Sequence, residues 1–375
     1  MTHPSPSTGP LAGLRIVEFA GIGPGPFCGM LLADMGAEVI VIERAGTALS
    51  VGAGGMLNRG KRSIALNLKL PADLEAAQRL LDRADGLIEG YRPGVMERLG
   101  LGPEPTLARN PRLVYGRVTG WGQSGPLAQA AGHDINYVAL TGVLSLSARA
   151  GAAPTIPATM IGDMAGGALF LAFGLVCALH EARSSGRGQV IDAAMVDGVN
   201  TMATLIHSLR AQNFWRDAPE QNFFLHSSPF YDSFECADGK HLSLGAIEPQ
   251  FYAELLRRLG FDDVDASRQY QVRDWPELRA RVAERLLTRT RDAWCGVLEG
   301  TDACVAPVLS LAEAPEHPHN RARGNFVEVD GVLQPAPSPR FSRTPARAPQ
   351  SPPEPGAHTQ DILQELGLLR SDLPS

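Results

Sequence analysis

Five cysteines in 375 residues, Cys28, Cys177, Cys236, Cys295 and Cys304, are odd in number and lie far apart. No pair has C-x-x-C spacing, so neither a disulfide framework nor a zinc site is expected, and no metal ligands are assigned. Reduced thiols point to a cytoplasmic location. A basic excess is also missing: the formal net charge is −6, which argues against a nucleic-acid partner. The first ten residues, MTHPSPSTGP, lack a charged stretch followed by an apolar one, so no secretory leader is expected. No apolar run reaches the roughly 18–20 residues that span a bilayer. The most apolar, residues 164–179 (MAGGALFLAFGLVCAL), is followed at once by His180 and Glu181. It reads as a helix buried on all sides, and no membrane partner is expected. Internal repeats are absent.

What is present is β-α-β punctuation. Residues 14–19 read as a strand, AGIGPGP as a turn, 26–35 as a helix opened by Pro26, and 37–43 as a second strand. This unit predicts a parallel sheet covered by helices. A helix over 74–84 and strands at 86–89 and 113–119 continue the pattern. Asp163 opens the apolar helix, and a strand at 190–192 runs into a helix over 193–209. After Asn213 the composition changes: a hairpin at 230–235 and 240–244 and helices at 250–259 and 275–288 predict a smaller α+β domain. Residues 334–356 are rich in proline and arginine and read as an extended connector. The final HTQDILQELGLL has a helical pattern capped by Thr359, so the chain is expected to return to the first domain.

Several residues suit chemistry. The turn from Gly21 to Pro26, with Glu43 ending the next strand, superficially matches a dinucleotide fingerprint. Pro24 and Pro26 remove donors from the loop that should cradle a pyrophosphate, so the fit is poor. Arg44, Arg59, Lys61, Arg62, Arg92 and Arg98 fall near strand ends, where ligands of open α/β sheets bind. They suit a polyphosphorylated ligand or, equally, a solvated surface. His133, in AGHDINY, is either a proton shuttle or a core histidine bonded to a carbonyl. Asp163, in IGDMAGG, is a helix cap, and the free N–H groups at that helix start are candidate donors to an oxyanion. Glu248, in LGAIEPQF, is a helix-start charge or a partner for a histidine.

At these residues the chain resembles the α-methylacyl-CoA racemases, within the family III CoA-transferase (CaiB/BaiF) superfamily. The likeness is carried by LAGLRIVEFAGIGPGPF, NRGKRSIALNLK, EGYRPGVMERLGLGP, GRVTGWGQSGPLAQAAGHDINYVALTG, IGDMAGG, GRGQVIDAAMVDG and EPQFYAEL. It implies an α/β fold in which a Rossmann-like large domain with a parallel sheet joins a smaller α+β domain in an interlocked homodimer of ring-shaped chains. The expected division is 1–195 for the N-terminal part of the large CoA-binding domain, 196–230 for a linker and 231–325 for the small domain. Residues 326–356 would be the Pro-rich connector and 357–375 the C-terminal helix returning to the large domain. The resemblance further implies His133 and Asp163 as catalytic bases, with Glu248 of the small domain hydrogen-bonding the histidine. CoA contacts are implied at Arg44, Ala65, Leu66, Asn67, Leu68, Gly90, Tyr91, Arg92, Arg98, Gly132, Asp134, Ile135, Asn136 and Tyr137. Met195 and Met202 would line an acyl surface. The activity implied is racemisation of 2-methylacyl-CoA by proton transfer through an enolate, with no cofactor beyond the CoA of the substrate. A family III CoA-transferase using Asp163 as a covalent nucleophile is the alternative. LGAIEPQF stands where transferases carry a Gly-rich loop, which favours the racemase.

Overall fold

The computed structural model describes residues 8–44, 55–149, 152–216 and 218–368. They form two units. The first holds the chain up to Val143, Ile156–Met202 and everything from Gly324; the second holds Leu144–Thr155 and Ala203–Arg323. The N-terminal part of the large unit thus runs to Met202 with an interruption, and its C-terminal part begins at Gly324. It lends 144–155 to the second unit, keeps 196–202, and leaves no linker over 196–230.

The first unit is built on six parallel strands: β1 Arg15–Phe19, β2 Glu38–Glu43, β3 Arg62–Ala65, β4 Gly86–Glu89, β5 Val114–Thr119 and β6 Val190–Ala194. Their order is β3-β2-β1-β4-β5-β6, so the direction of winding reverses between β1 and β4. Strands such as EVIVIE are apolar nearly throughout because both faces are covered. Helix α1 (Pro24–Asp34) packs on one face through Leu32, beside Ile16, Ile88 and Val114. Helix α2 (Pro71–Leu81) packs on the other through Leu80, beside Val17, Leu87 and Tyr115. Short helices α3 (Val95–Arg98), α4 (Pro103–Arg109) and α5 (Asp134–Leu140) follow. Both α1 and α2 begin earlier than the apolar pattern suggests, because Pro24 and Pro71 each occupy a first-turn position where the missing N–H costs nothing.

The long apolar helix starts at Met160, not at Asp163. Met160–Leu169 is wound as a π-helix and runs on as α6, Phe170–Ser185. The 26-residue run is long and apolar enough to cross a membrane by length and composition. Its inner stripe, Leu171, Leu175 and Ala178, is buried in the core beneath β5. It is not enclosed on all sides, however: Leu169, Phe173 and Val176 are exposed, because the sheet covers only one side of the helix. The helix expected over 193–209 is interrupted: Ala193 and Ala194 belong to β6, α7 spans Met195–Met202, and α8 (Thr204–Ala211) belongs to the second unit.

The second unit carries a three-stranded antiparallel sheet of β7 (Tyr231–Glu235), β8 (His241–Gly245) and β9 (Val305–Val308). Helices α9 (Pro249–Leu259), α10 (Trp275–Leu286) and α11 (Arg291–Leu298) close its core on Phe230, Tyr252, Trp275 and Trp294, and α12 (Pro318–Arg323) follows. Back in the first unit, residues 326–356 are not wholly extended. β10 (Phe326–Val329) and β11 (Val332–Pro335) form an antiparallel hairpin. Helix α13 (Thr359–Glu365) then buries Ile362 and Leu363 in the same core as α2. Its cap position is His358, not Thr359. His358 accepts the Ser63 N–H at Nδ1 and donates its own N–H to the Ser63 carbonyl, while the Thr359 hydroxyl accepts the Ala65 N–H. The tail thereby satisfies the outer edge of β3.

Candidate active site

A cavity of about 610 Å³ opens at the carboxyl ends of β1, β4, β5 and β6, where the winding reverses. One wall is the turn from Gly21 to Pro26. Gly23 sits at φ 68°, a left-handed conformation that costs glycine nothing and lets α1 begin directly after β1. The turn after β4 supplies Gly90 and Arg92, and the turn after β5 supplies Trp121. His133 comes from the start of α5, Asp163 from the π-helical turn and Met195 from the start of α7.

Of the residues expected in the site, the cavity brings together His133, Asp163, Gly90, Arg92, Gly132, Tyr137 and Met195. His133 caps α5 in an extended conformation and is exposed. Its N–H donates to Asn136 Oδ1 at 3.0 Å, so that side chain is occupied in shaping the turn. The half-buried Asp163 carboxyl is pushed up to about 6, chiefly by burial and next by the negative charge of Asp134, with His133 acting in the opposite sense. A Cβ at Gly23 would lie 3.3 Å from Asp163 Oδ2, so the turn presses closely on the carboxylate. Tyr137 is buried, stacks edge-on against Trp121 with centroids 4.8 Å apart, and donates to the Gly132 carbonyl.

Other expected contacts stand outside the cavity lining. Arg44 follows β2 and Arg98 ends α3, and both are exposed. In 65–67 the backbone donors are already used: Ala65 N–H by Thr359, Leu66 N–H by the Glu43 carbonyl and Asn67 N–H by Asp73. Leu66 is buried and Leu68 packs on the core. Tyr91 donates its N–H to Glu89 and its hydroxyl to the Ala20 carbonyl. Ile135 is exposed, as is Met202, seven residues beyond Met195. Glu248 caps α9 in the second unit.

Two expectations are corrected. The amides at the start of the Asp163 helix are not free oxyanion donors: Gly162 N–H and Asp163 N–H both donate to Asp134 Oδ2, at 2.7 and 2.8 Å. Likewise Arg59, Lys61 and Arg62 are not a phosphate patch. Arg59 pairs with Asp34 and Gln334, Lys61 with Glu18 and Asn58, and Arg62 with Glu38 and Glu365. Residues the sequence did not single out help build the site. The Glu89 carboxylate accepts from the Tyr91 N–H and from buried Arg117, and so sets the turn that carries Arg92. Trp121 follows β5, and the rule that picked the turn after β1 applies equally there.

Comparison with known proteins places this geometry among relatives. A family model described as CoA-transferase family III matches residues 11–359. The α-methylacyl-CoA racemases of mouse and human are 44% and 42% identical to the chain over 366 residues, 97% of this chain and 95% of each of those proteins. The crystal structure of a CaiB/BaiF family protein from Brucella suis is similar with a TM-score of 0.82 and 26% sequence identity, covering 96% of this chain and 100% of that one.

Proposed function

We propose for this chain, which belongs to CoA-transferase family III, the reaction for which its mouse and human relatives are named. It is an isomerase that interconverts the (2R) and (2S) epimers of 2-methylacyl-CoA thioesters. The observation that carries the mechanism is one cavity lined by both His133 and an Asp163 carboxyl raised to about 6. Epimerisation needs a base on each side of C2. His133 takes the proton from the (2S) epimer and Asp163 from the (2R) epimer. The enolate left behind is protonated from the opposite side by the other group. A carboxyl near 6 can both give and take a proton close to neutrality.

The enolate oxygen needs donors in place before it forms. The amides of Asp134 and Ile135, in the first turn of α5, have no hydrogen-bond acceptor among the described residues and adjoin His133. They replace the Gly162 and Asp163 amides as candidates. Arg92 holds phosphate oxygens of the CoA moiety, with Arg44 and Arg98 as further cations along its path. Met195 meets the acyl chain, which continues toward Met202. The chemistry is proton transfer and calls for no metal or redox cofactor.

Assembly belongs to the same reading. The chain works as an interlocked homodimer, in which Glu248 of one subunit orients His133 of the other. The exposed Leu169, at the end of the π-helical turn, and Phe173 and Val176 on α6 suit burial against a second copy. A cytoplasmic setting agrees with five free cysteines.

The test is incubation of the wild-type enzyme with a (2R)-2-methylacyl-CoA in deuterated water, without any acceptor acid. Deuterium at C2 together with appearance of the (2S) epimer is expected. Neither label nor epimer, with a hydroxylamine-trapped Asp163 adduct, would instead establish the covalent transferase.

A further inference from the structure

We propose that the side chain of Asp134 is a positioning group that couples the two proton-transfer groups, rather than a contact for CoA. Its carboxylate ties the backbone of Asp163 to the residue next to His133. This inference rests on the racemase reading above.

Asp134 follows His133 in the chain and is 6% exposed. Its Oδ2 accepts the N–H groups of both Gly162 and Asp163, 28 and 29 residues away. Such bonds to a carboxylate are short and roughly twice as strong as neutral ones. The carboxylate also meets the positive end of a long helical run, where negative charge is stabilised. The approach is close enough to dictate the neighbouring residue. A Cβ at Gly162 would lie 2.9 Å from Asp134 Oδ2 and 3.1 Å from its Cγ, so any side chain there displaces the carboxylate. The H-D of GHDINY and the G-D of IGDMAGG are thus two halves of one joint.

Moving a proton off one side of a carbon and onto the other demands that both groups stay at fixed distances from that carbon. Displacements of about 1 Å cost on the order of 10²-fold in rate. With the joint intact, Asp163 cannot shift relative to His133 without breaking two charge-assisted hydrogen bonds. The joint also has an electrostatic side. The charged or titratable groups that face Asp163 are His133, Asp134 and Tyr137, with Arg92 beyond Tyr137. Asp134 is the acid among them, and its charge opposes ionisation of Asp163. Its other oxygen, Oδ1, is buried with no hydrogen-bond partner among the described residues.

Two variants separate these effects. Asp134→Ala removes the joint and the charge; Asp134→Asn keeps an oxygen for the two amides and removes the charge alone. Racemisation kcat, KM and CoA dissociation constant are measured for each, with kcat/KM followed from pH 4.5 to 8. Asp134→Ala is expected to lower kcat by about 10²-fold, with KM and CoA affinity within threefold of wild type. Asp134→Asn is expected to keep most of kcat and to move the acid limb to lower pH. A raised KM and weakened CoA binding at unchanged kcat would make Asp134 a CoA contact and overturn the proposal. If Asp134→Ala does not fold, Gly162→Ala, whose Cβ would lie 2.9 Å from Asp134 Oδ2, breaks the joint instead, and an undiminished kcat there overturns the proposal. A wild-type enzyme that neither epimerises nor exchanges C2 hydrogen takes down the racemase reading and this inference together. An active wild type with indifferent variants takes down this inference alone.

Discussion

Lowering the pH should silence the enzyme well before an ordinary aspartate would be protonated. In the two-base mechanism His133 and Asp163 must share one proton: one group is ready to accept, the other to donate. Acid adds the second proton and leaves no base. The carboxyl that receives it starts from 3.8 and is raised to about 6, first by burial and then by Asp134. At pH 5 about a tenth of the Asp163 carboxyls therefore remain ionised, against about nine-tenths for an unshifted aspartate. The rate should fall tenfold for each further unit of acid. Because the equilibrium between epimers is independent of pH, kcat/KM for the (2R) and (2S) substrates must share this limb. The assay is initial-rate epimerisation from each side over pH 4.5–8, with enzyme preincubated at each pH and then returned to pH 8 to exclude inactivation. The phosphate groups of CoA titrate nearby, so Asp134→Asn is run in parallel: the substrate contributes equally to both profiles, and any difference belongs to the protein. An acid limb centred below about pH 5 in the wild type would refute the assignment of Asp163 as a buried base.

Replacing Lys61 by Met should lower the unfolding free energy by about 3–5 kcal/mol, because Lys61 and Glu18 are both fully buried and the orphaned carboxylate has no water to turn to. Urea titration at pH 7 checks this, and a loss below about 1 kcal/mol would contradict it. Arg92→Ala should raise KM more than it lowers kcat, since it removes binding common to substrate and transition state; unchanged affinity for CoA esters would remove Arg92 from the binding site. An interlocked dimer should bury well beyond the roughly 1,600 Å² of a separable complex, so sedimentation at micromolar concentration should show no monomer, and an active monomer would exclude interlocking.

The sheet was legible because runs such as EVIVIE leave no polar face for solvent, and because prolines and glycines mark where each strand gives way to a helix. The hairpin of β10 and β11 was missed although its turn, Asp330-Gly331, is a strong two-residue signal with both residues at positive φ. The surrounding prolines outweighed it. Basic residues misled for a different reason. A sequence does not reveal whether an arginine faces a ligand or a buried acid, and the acid partners of Arg59 and Lys61 lie 25 and 43 residues away. His133 and Asp163 were found through the motifs around them. The function of Asp134 was not, because the amides it binds become its neighbours only when β5, α5 and the π-helical turn are assembled.

The docking of the tail on β3 bears on the order in which the protein is made. Ile362, Leu363 and Leu366 are core residues of the first unit, yet they leave the ribosome after the whole of the second. The second unit, apart from 144–155, is contiguous and can consolidate while the first still lacks a wall. Until His358 and Thr359 emerge, β3 presents unpaired backbone groups at the sheet edge, a surface that invites other strands. Nascent chains should therefore depend on holding factors late in translation rather than early. Truncation of even the last two dozen residues should yield aggregates, not a shortened enzyme.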